Sequence, residues 1–148
     1  MADIDTIQEL RAKTGVSVMA VKRALDKAGG DIKKAQELLK EEIAVIASRK
    51  SDRETKAGII QSYIHGGRIG VLVKIMCETD FVAKNSDFQD FAKDIAMQVA
   101  ASEAEGVEDL LNEPYIKNSS MAVSDYLKEA IGKFGENIEI SGFSKLEL

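Results

Sequence analysis

Few side chains in this 148-residue sequence could do chemistry. One histidine, His65, and one cysteine, Cys77, are too few for a His/Cys zinc site within one chain. Glu78 and Asp80 could work as an acid–base pair. Their spacing puts both on one side of a strand end, with no sign of a pocket to raise either pKa. The glycines of "HGGRIG", from His65, match neither G-x-x-x-x-G-K-[ST] nor G-x-G-x-x-G, and they join two strands rather than a strand and a helix. No G-x-S-x-G is present. The reading is a non-enzyme that holds neither cofactor nor metal.

That leaves surfaces. In "CETDFVAKNSDF", Cys77 to Phe88, a strand-like stretch ends in acids, and Phe81-Val82 stands between Asp80 and Lys84. The flanking charges suggest a solvated loop, whereas a Phe-Val pair normally seeks a core. The residues alone leave Phe81 open between a half-buried loop side chain and an apolar knob offered to a partner. Met19 raises the same question more weakly, because it sits about 100° off the stripe Val18, Val21 and Leu25 by helix geometry.

The elements that position these residues follow from hydrophobic period. Ile4, Ile7 and Leu10 recur at helical spacing until Gly15. Ser17 can cap a second helix with Val18, Val21, Leu25 and Ala28 on one stripe, ended by Gly29-Gly30. Asp31 caps a third, with Ile32, Ala35, Leu38, Leu39, Ile43 and Ile46 on its buried face. "RKSDRETK", Arg49 to Lys56, has no apolar residue and reads as the end of that helix and a joint. The period then changes to two. Two β-runs flank His65–Arg68, and Ile69, Val71, Val73, Ile75 and Cys77 alternate onto one apolar face. Cys77 is in phase with that face and reads as a small buried side chain.

Ser86 with Gln89 forms a capping-box pattern before the stripe Phe88, Phe91, Ala92, Ile95 and Val99. "EGVEDLLNEPYIKNSS" reads as a connector with one helical turn, holding the single proline, Pro114. Ser124 can cap a last helix that stops at Gly135, and "NIEISGFSKLEL" closes the chain as a third strand, bulged at Gly142. The expected fold is α+β: a three-helix module over 1–50, a charged linker over 51–56, and over 57–148 a small antiparallel three-stranded sheet packed with helices.

Composition bounds the partners. The net charge is −5 and the pI about 5.0, which disfavours nucleic acid, whose phosphates need basic neutralisation. Residues 1–56 carry 12 Lys/Arg against 10 Asp/Glu, a surplus of +2, and the remainder carries −7. A solvated helical surface accounts for that excess. No run is apolar enough to span a membrane, and "MADIDTIQEL" lacks the features of a secretion signal. A lone cysteine fits a reducing cytoplasm.

The pieces "LRAKTGVSVMAVKRAL", "AGGDIKKAQELL", "HGGRIGVLV", "CETDFVAKN" and "GKFGENIEI" together resemble the elongation factor Ts family, in the right order and over nearly the whole chain. The resemblance implies a guanine-nucleotide exchange factor for elongation factor Tu, and an N-terminal module like a ubiquitin-associated fold that docks on that GTPase. It implies that Phe81 inserts between two helices of the GTPase domain, near the magnesium and phosphates, with Asp80 and Val82 beside it. It also assigns partner contacts to His65, Gly135, Arg11, Val18 and Met19. Long members hold two core subdomains; this chain has one set of core motifs, and the usual helical insertion is reduced to the region Gly106–Asn118. Short members pair as homodimers, so a homodimer is expected. The rival reading is a ubiquitin-associated-type adaptor, which has no reason to carry TDFVA.

Overall fold

A computed structural model describes residues 3–148, and its element order follows the change of period in the sequence. Three helices come first: α1 (Ile4–Thr14), α2 (Val18–Lys27) and α3 (Ile32–Lys50). Gly15 ends α1 in the left-handed region at φ 71. A Cβ there would also meet Lys133 Cβ at 2.9 Å, so only glycine lets the end of α1 lie against the last helix. The side chains of Ser17 and Asp31 accept the N–H groups of Ala20 and Lys34, capping α2 and α3. Ile7, Leu10, Val21, Leu25, Leu39 and Ile43 fill the core between these helices.

Three apolar residues depart from the expected stripes. Ile4, Val18 and Ile32 are all exposed, and each is the first residue of its helix. The buried face of α2 is instead Ala20, Val21, Ala24 and Leu25. α3 continues past this core, and its Ala47 joins the second one.

That second core is built on a sheet. The hairpin strands β1 (Ala57–His65) and β2 (Ile69–Cys77) pair antiparallel, with β5 (Glu139–Glu147) on the other side of β2. The register slips opposite Lys74/Ile75, so Ser141 is the extra residue and the bulge lies next to Gly142. Val71, Val73, Ile75 and Cys77 are buried under the helix α5 (Ser86–Ala101), whose Phe88, Phe91, Ala92, Ile95 and Val99 face them. α7 (Val123–Phe134) adds Val123, Ala130 and Ile131, and Phe134 meets Phe88 edge-on at 5.7 Å.

Two helix starts differ from the expected caps. Asn85, not Ser86, caps α5, its side chain accepting the Asp87 N–H. α7 begins at Val123, one residue before Ser124, because the Asp125 carboxylate reaches back to the Ala122 N–H at 3.1 Å. The connector is also more ordered than one turn. A short helix α6 (Val107–Asn112) leads into a two-stranded ribbon, β3 (Pro114–Tyr115) and β4 (Asn118–Ala122). Buried Gln98 of α5 holds it, donating to the Pro114 carbonyl and accepting the Ile116 N–H. Tyr115 stacks on Tyr126 at 4.2 Å, and burial pushes its hydroxyl up to about 12.

Candidate functional site

The expected loop at TDFVA is a single helical turn, α4 (Asp80–Ala83), set between the end of β2 and the start of α5. The Thr79 hydroxyl caps it by accepting the Val82 N–H at 3.3 Å. At about 100° per residue, Phe81 points roughly 150° away from the midpoint of Val82 and Ala83. The buried pair therefore decides where Phe81 goes. Val82 is 6% exposed and Ala83 is buried with it, whereas Phe81 is 83% exposed. Asp80 is exposed beside it. Val82, expected at the partner surface, has its side chain in the core, because the turn must bury two residues to sit on the sheet.

Four residues make too short a helix to hold itself, and the turn is anchored from a distance. Gly135 ends α7 at φ 72, a backbone shape that favours glycine. The chain reverses there and delivers Glu136 to the end of β2. Its Oε1 accepts the N–H groups of Glu78 and Thr79 at 3.0 and 2.9 Å, and its Oε2 accepts the Thr79 hydroxyl at 2.7 Å. The grip is reciprocal, since Glu78 Oε1 accepts the Asn137 N–H at 2.8 Å.

The same loop reaches the joint after α3. Buried Asn137 donates through Nδ2 to the Arg53 carbonyl at 2.8 Å, and Lys50 Nζ donates to the Gly135 carbonyl at 2.9 Å. Arg53 also lies 3.6 Å from Glu78. Residues 50–53, 135–137 and 78–79 thus form one polar knot beneath the Phe81 turn.

Cys77 is part of the floor of this site and not a nucleophile. It is buried, its thiol donates to the Thr79 carbonyl at 3.3 Å, and burial pushes the thiol up, with the nearby Glu136 charge adding to the effect. Among the described residues, no three His, Cys, Asp or Glu side chains converge as a metal site would require.

The structure brings only some of the expected residues together. Asp80, Phe81 and Gly135 belong to one corner. His65 lies at the far end of β2's partner strand, exposed, with Nδ1 2.9 Å from the Tyr63 hydroxyl. His65 pairs with Ile69 and Ala57 with Cys77, so eight strand steps, about 26 Å, separate the hairpin from the Phe81 corner. Arg11, Val18 and Met19 stand exposed on the N-terminal helices, Met19 at 61% and Val18 at 36%. Sequence reasoning missed Thr79, Glu136 and Asn137. Thr79 had a local signal, a hydroxyl before a short run starting with an acid. Glu136 and Asn137 had none, because their partners are more than fifty residues away.

Comparison with known proteins addresses the same region. The family model described as elongation factor TS matches residues 78–148, a span that holds the Phe81 turn and both residues of the 136–137 clasp. An elongation factor Ts of Carboxydothermus hydrogenoformans is 40% identical over 188 residues, covering 96% of this chain and 87% of that relative. An elongation factor Ts of Desulforamulus reducens is 37% identical over 196 residues, covering the whole chain and 90% of the relative. One of Clostridium kluyveri is 42% identical over 147 residues, covering 99% of this chain but 48% of its own length.

Proposed function

The chain belongs to the elongation factor Ts family, and on that premise we propose that it is a guanine-nucleotide exchange factor: it binds elongation factor Tu carrying GDP and promotes GDP release. The observation that carries the reading is the Phe81 turn. An aromatic side chain is held out in water on a turn clasped at Thr79 and seated in the core through Val82 and Ala83. Phe81 acts as a wedge between two helices of the GTPase domain near the magnesium and phosphates, with Asp80 as a polar contact beside it.

Linkage gives the energetics. A factor that prefers the nucleotide-free GTPase must weaken GDP by the same coupling free energy, typically ~1–3 kcal/mol and larger for strong exchange factors. Burying one Phe yields roughly 1.5–3 kcal/mol. That is enough to shift a helix and disturb magnesium coordination, and too little to hold a complex alone. The N-terminal helices, residues 1–50, supply the remaining affinity through Arg11, Val18 and Met19, with 51–56 as the joint and 57–148 as the acting core. Elongation factor Tu preloaded with fluorescent GDP tests this directly. Adding the chain should speed loss of the label, and unchanged release at saturating chain would overturn the function.

The same reading extends to a homodimer. The outer face of the sheet exposes Ile60, Ile64, Leu72 and Leu146, and Ile64, Gly70 and Leu146 lie level across the three strands. A second copy covers this face. Pairing would bring the His65 hairpin of one copy, about 26 Å of strand away from its own Phe81, toward a GTPase wedged by the other. Sedimentation at micromolar concentration decides it: a monomer that still catalyses exchange would sink the shared arrangement.

A further inference from the structure

We propose that Glu136 is a positioning residue for Phe81, holding the turn in one orientation through the three hydrogen bonds it accepts at Glu78 and Thr79. The inference rests on the wedge reading above and adds what makes the wedge stiff. A side chain that is 83% exposed takes no direction from a core. Its aim depends on the turn's backbone, and a four-residue helix does not fix its own. Val82 and Ala83 set the depth of the turn. Glu136 sets its base, because one ionised carboxylate takes two backbone N–H groups and the hydroxyl of the capping threonine. The hydroxyl that donates to Glu136 is the one that accepts from Val82, so the clasp and the cap are one chain of bonds.

The clasp also ties the wedge to the N-terminal helices. Asn137 and Gly135, on either side of Glu136, bond to Arg53 in the joint and to Lys50 at the end of α3. A partner gripped by those helices therefore meets Phe81 at a set angle. A wedge free to swing would lose rate at the step where it must enter the GTPase, without losing as much affinity.

The first test needs no partner. The chain has no tryptophan, so Phe81→Trp places a single reporter on the turn. Its fluorescence anisotropy should fall when Glu136→Ala is added, and an unchanged anisotropy would overturn the inference.

The second test uses GDP release from preloaded elongation factor Tu. At saturating chain, Glu136→Ala should slow release about ten- to a hundredfold, as misplaced reacting groups do, with the half-saturating concentration little changed. Glu136→Gln keeps a carbonyl oxygen for the two N–H groups and should recover much of the rate. The double variant Phe81→Ala/Glu136→Ala should be no slower than Phe81→Ala alone. Multiplied effects would mean that Glu136 acts on the partner itself, and a parent-like rate for Glu136→Ala beside a slow Phe81→Ala would mean that the clasp is idle. Either result overturns the inference and leaves the wedge intact. A parent-like rate for Phe81→Ala would instead fail the wedge. Should Glu136→Ala not fold, Thr79→Val carries the same comparison, because it removes only the hydroxyl bonds.

Discussion

The starts of α2 and α4 share one local design. A hydroxyl cap, Ser17 or Thr79, accepts the N–H of the third helical residue, Ala20 or Val82. In both, the second residue is a large apolar side chain left in water, Met19 or Phe81, and the next two are buried. The same step of about 100° per residue produces both outcomes. What differs is the support. α2 runs on for ten residues with its own buried stripe, so its first turn is held by the helix itself. α4 ends after four, and its orientation is supplied by a carboxylate from the far side of the chain. The side chains differ to match. Met19 is flexible and suits an adaptable contact, whereas Phe81 is rigid and suits insertion. The difference teaches that on a one-turn helix the direction of a protruding side chain comes from remote contacts, whereas a longer helix supplies it locally.

Stability measurements sharpen that contrast. Phe88 is fully buried seven residues after Phe81. Phe88→Ala should cost ~3–5 kcal/mol as a core truncation, while Phe81→Ala should leave the denaturation midpoint nearly unchanged. A comparable loss from both would show that Phe81 has packing contacts. Within α2, Leu25→Ala should cost ~2–5 kcal/mol, and Met19→Ala should keep the melting temperature but weaken partner binding. If Met19→Ala melts the helices as badly as Leu25→Ala, α2 is turned the wrong way.

A smaller effect separates the caps. Ser17→Ala should cost ~0.5–2 kcal/mol, with its helix still formed. Thr79→Ala should lower stability by a similar amount in urea melts yet slow exchange, since it loses both the cap and a bond to Glu136. Equal exchange rates for the two variants would erase the distinction between the turns.

A pH effect reports on the contact between α3 and α7. Burial raises Glu129 on α7 to about 7, with the Asp125 charge adding and Lys40 of α3 opposing. The folded state then holds a proton that the unfolded chain releases above the ordinary glutamate value of 4.5. Stability from this group is full below that value and falls as pH rises towards 7. Glu129→Gln should flatten that slope in melts taken from pH 4.5 to 7.5; an unchanged slope would assign it to other groups.

Much of this was legible because the signals are local. Alternation along Ile69–Cys77 and the His65–Arg68 glycines placed the hairpin, and Gly15, Ser17, Asp31 and Gly135 placed the helix ends. Val18 and Ile32 misled because a residue just after a cap can look in phase with a stripe while no neighbour packs beyond the helix start. Asn85 and Asp125 displaced Ser86 and Ser124 because neighbouring residues can serve as caps, and the path of the chain chooses between them. The β3–β4 ribbon is too short to show a period, and it depends on Gln98, up to eighteen residues away. The oddity of Phe81 was visible in the sequence, and Thr79 offered a local sign of its turn, but the anchor was not visible. It depends on bonds between residues 78–79 and 136–137, which no local pattern encodes.

The most direct measurement is release of preloaded GDP from elongation factor Tu at saturating chain, comparing the parent with Phe81→Ala. The fold should persist, because little buried area is lost, while release slows severely and complex formation weakens less. A well-folded Phe81→Ala chain that releases GDP as fast as the parent would contradict the account.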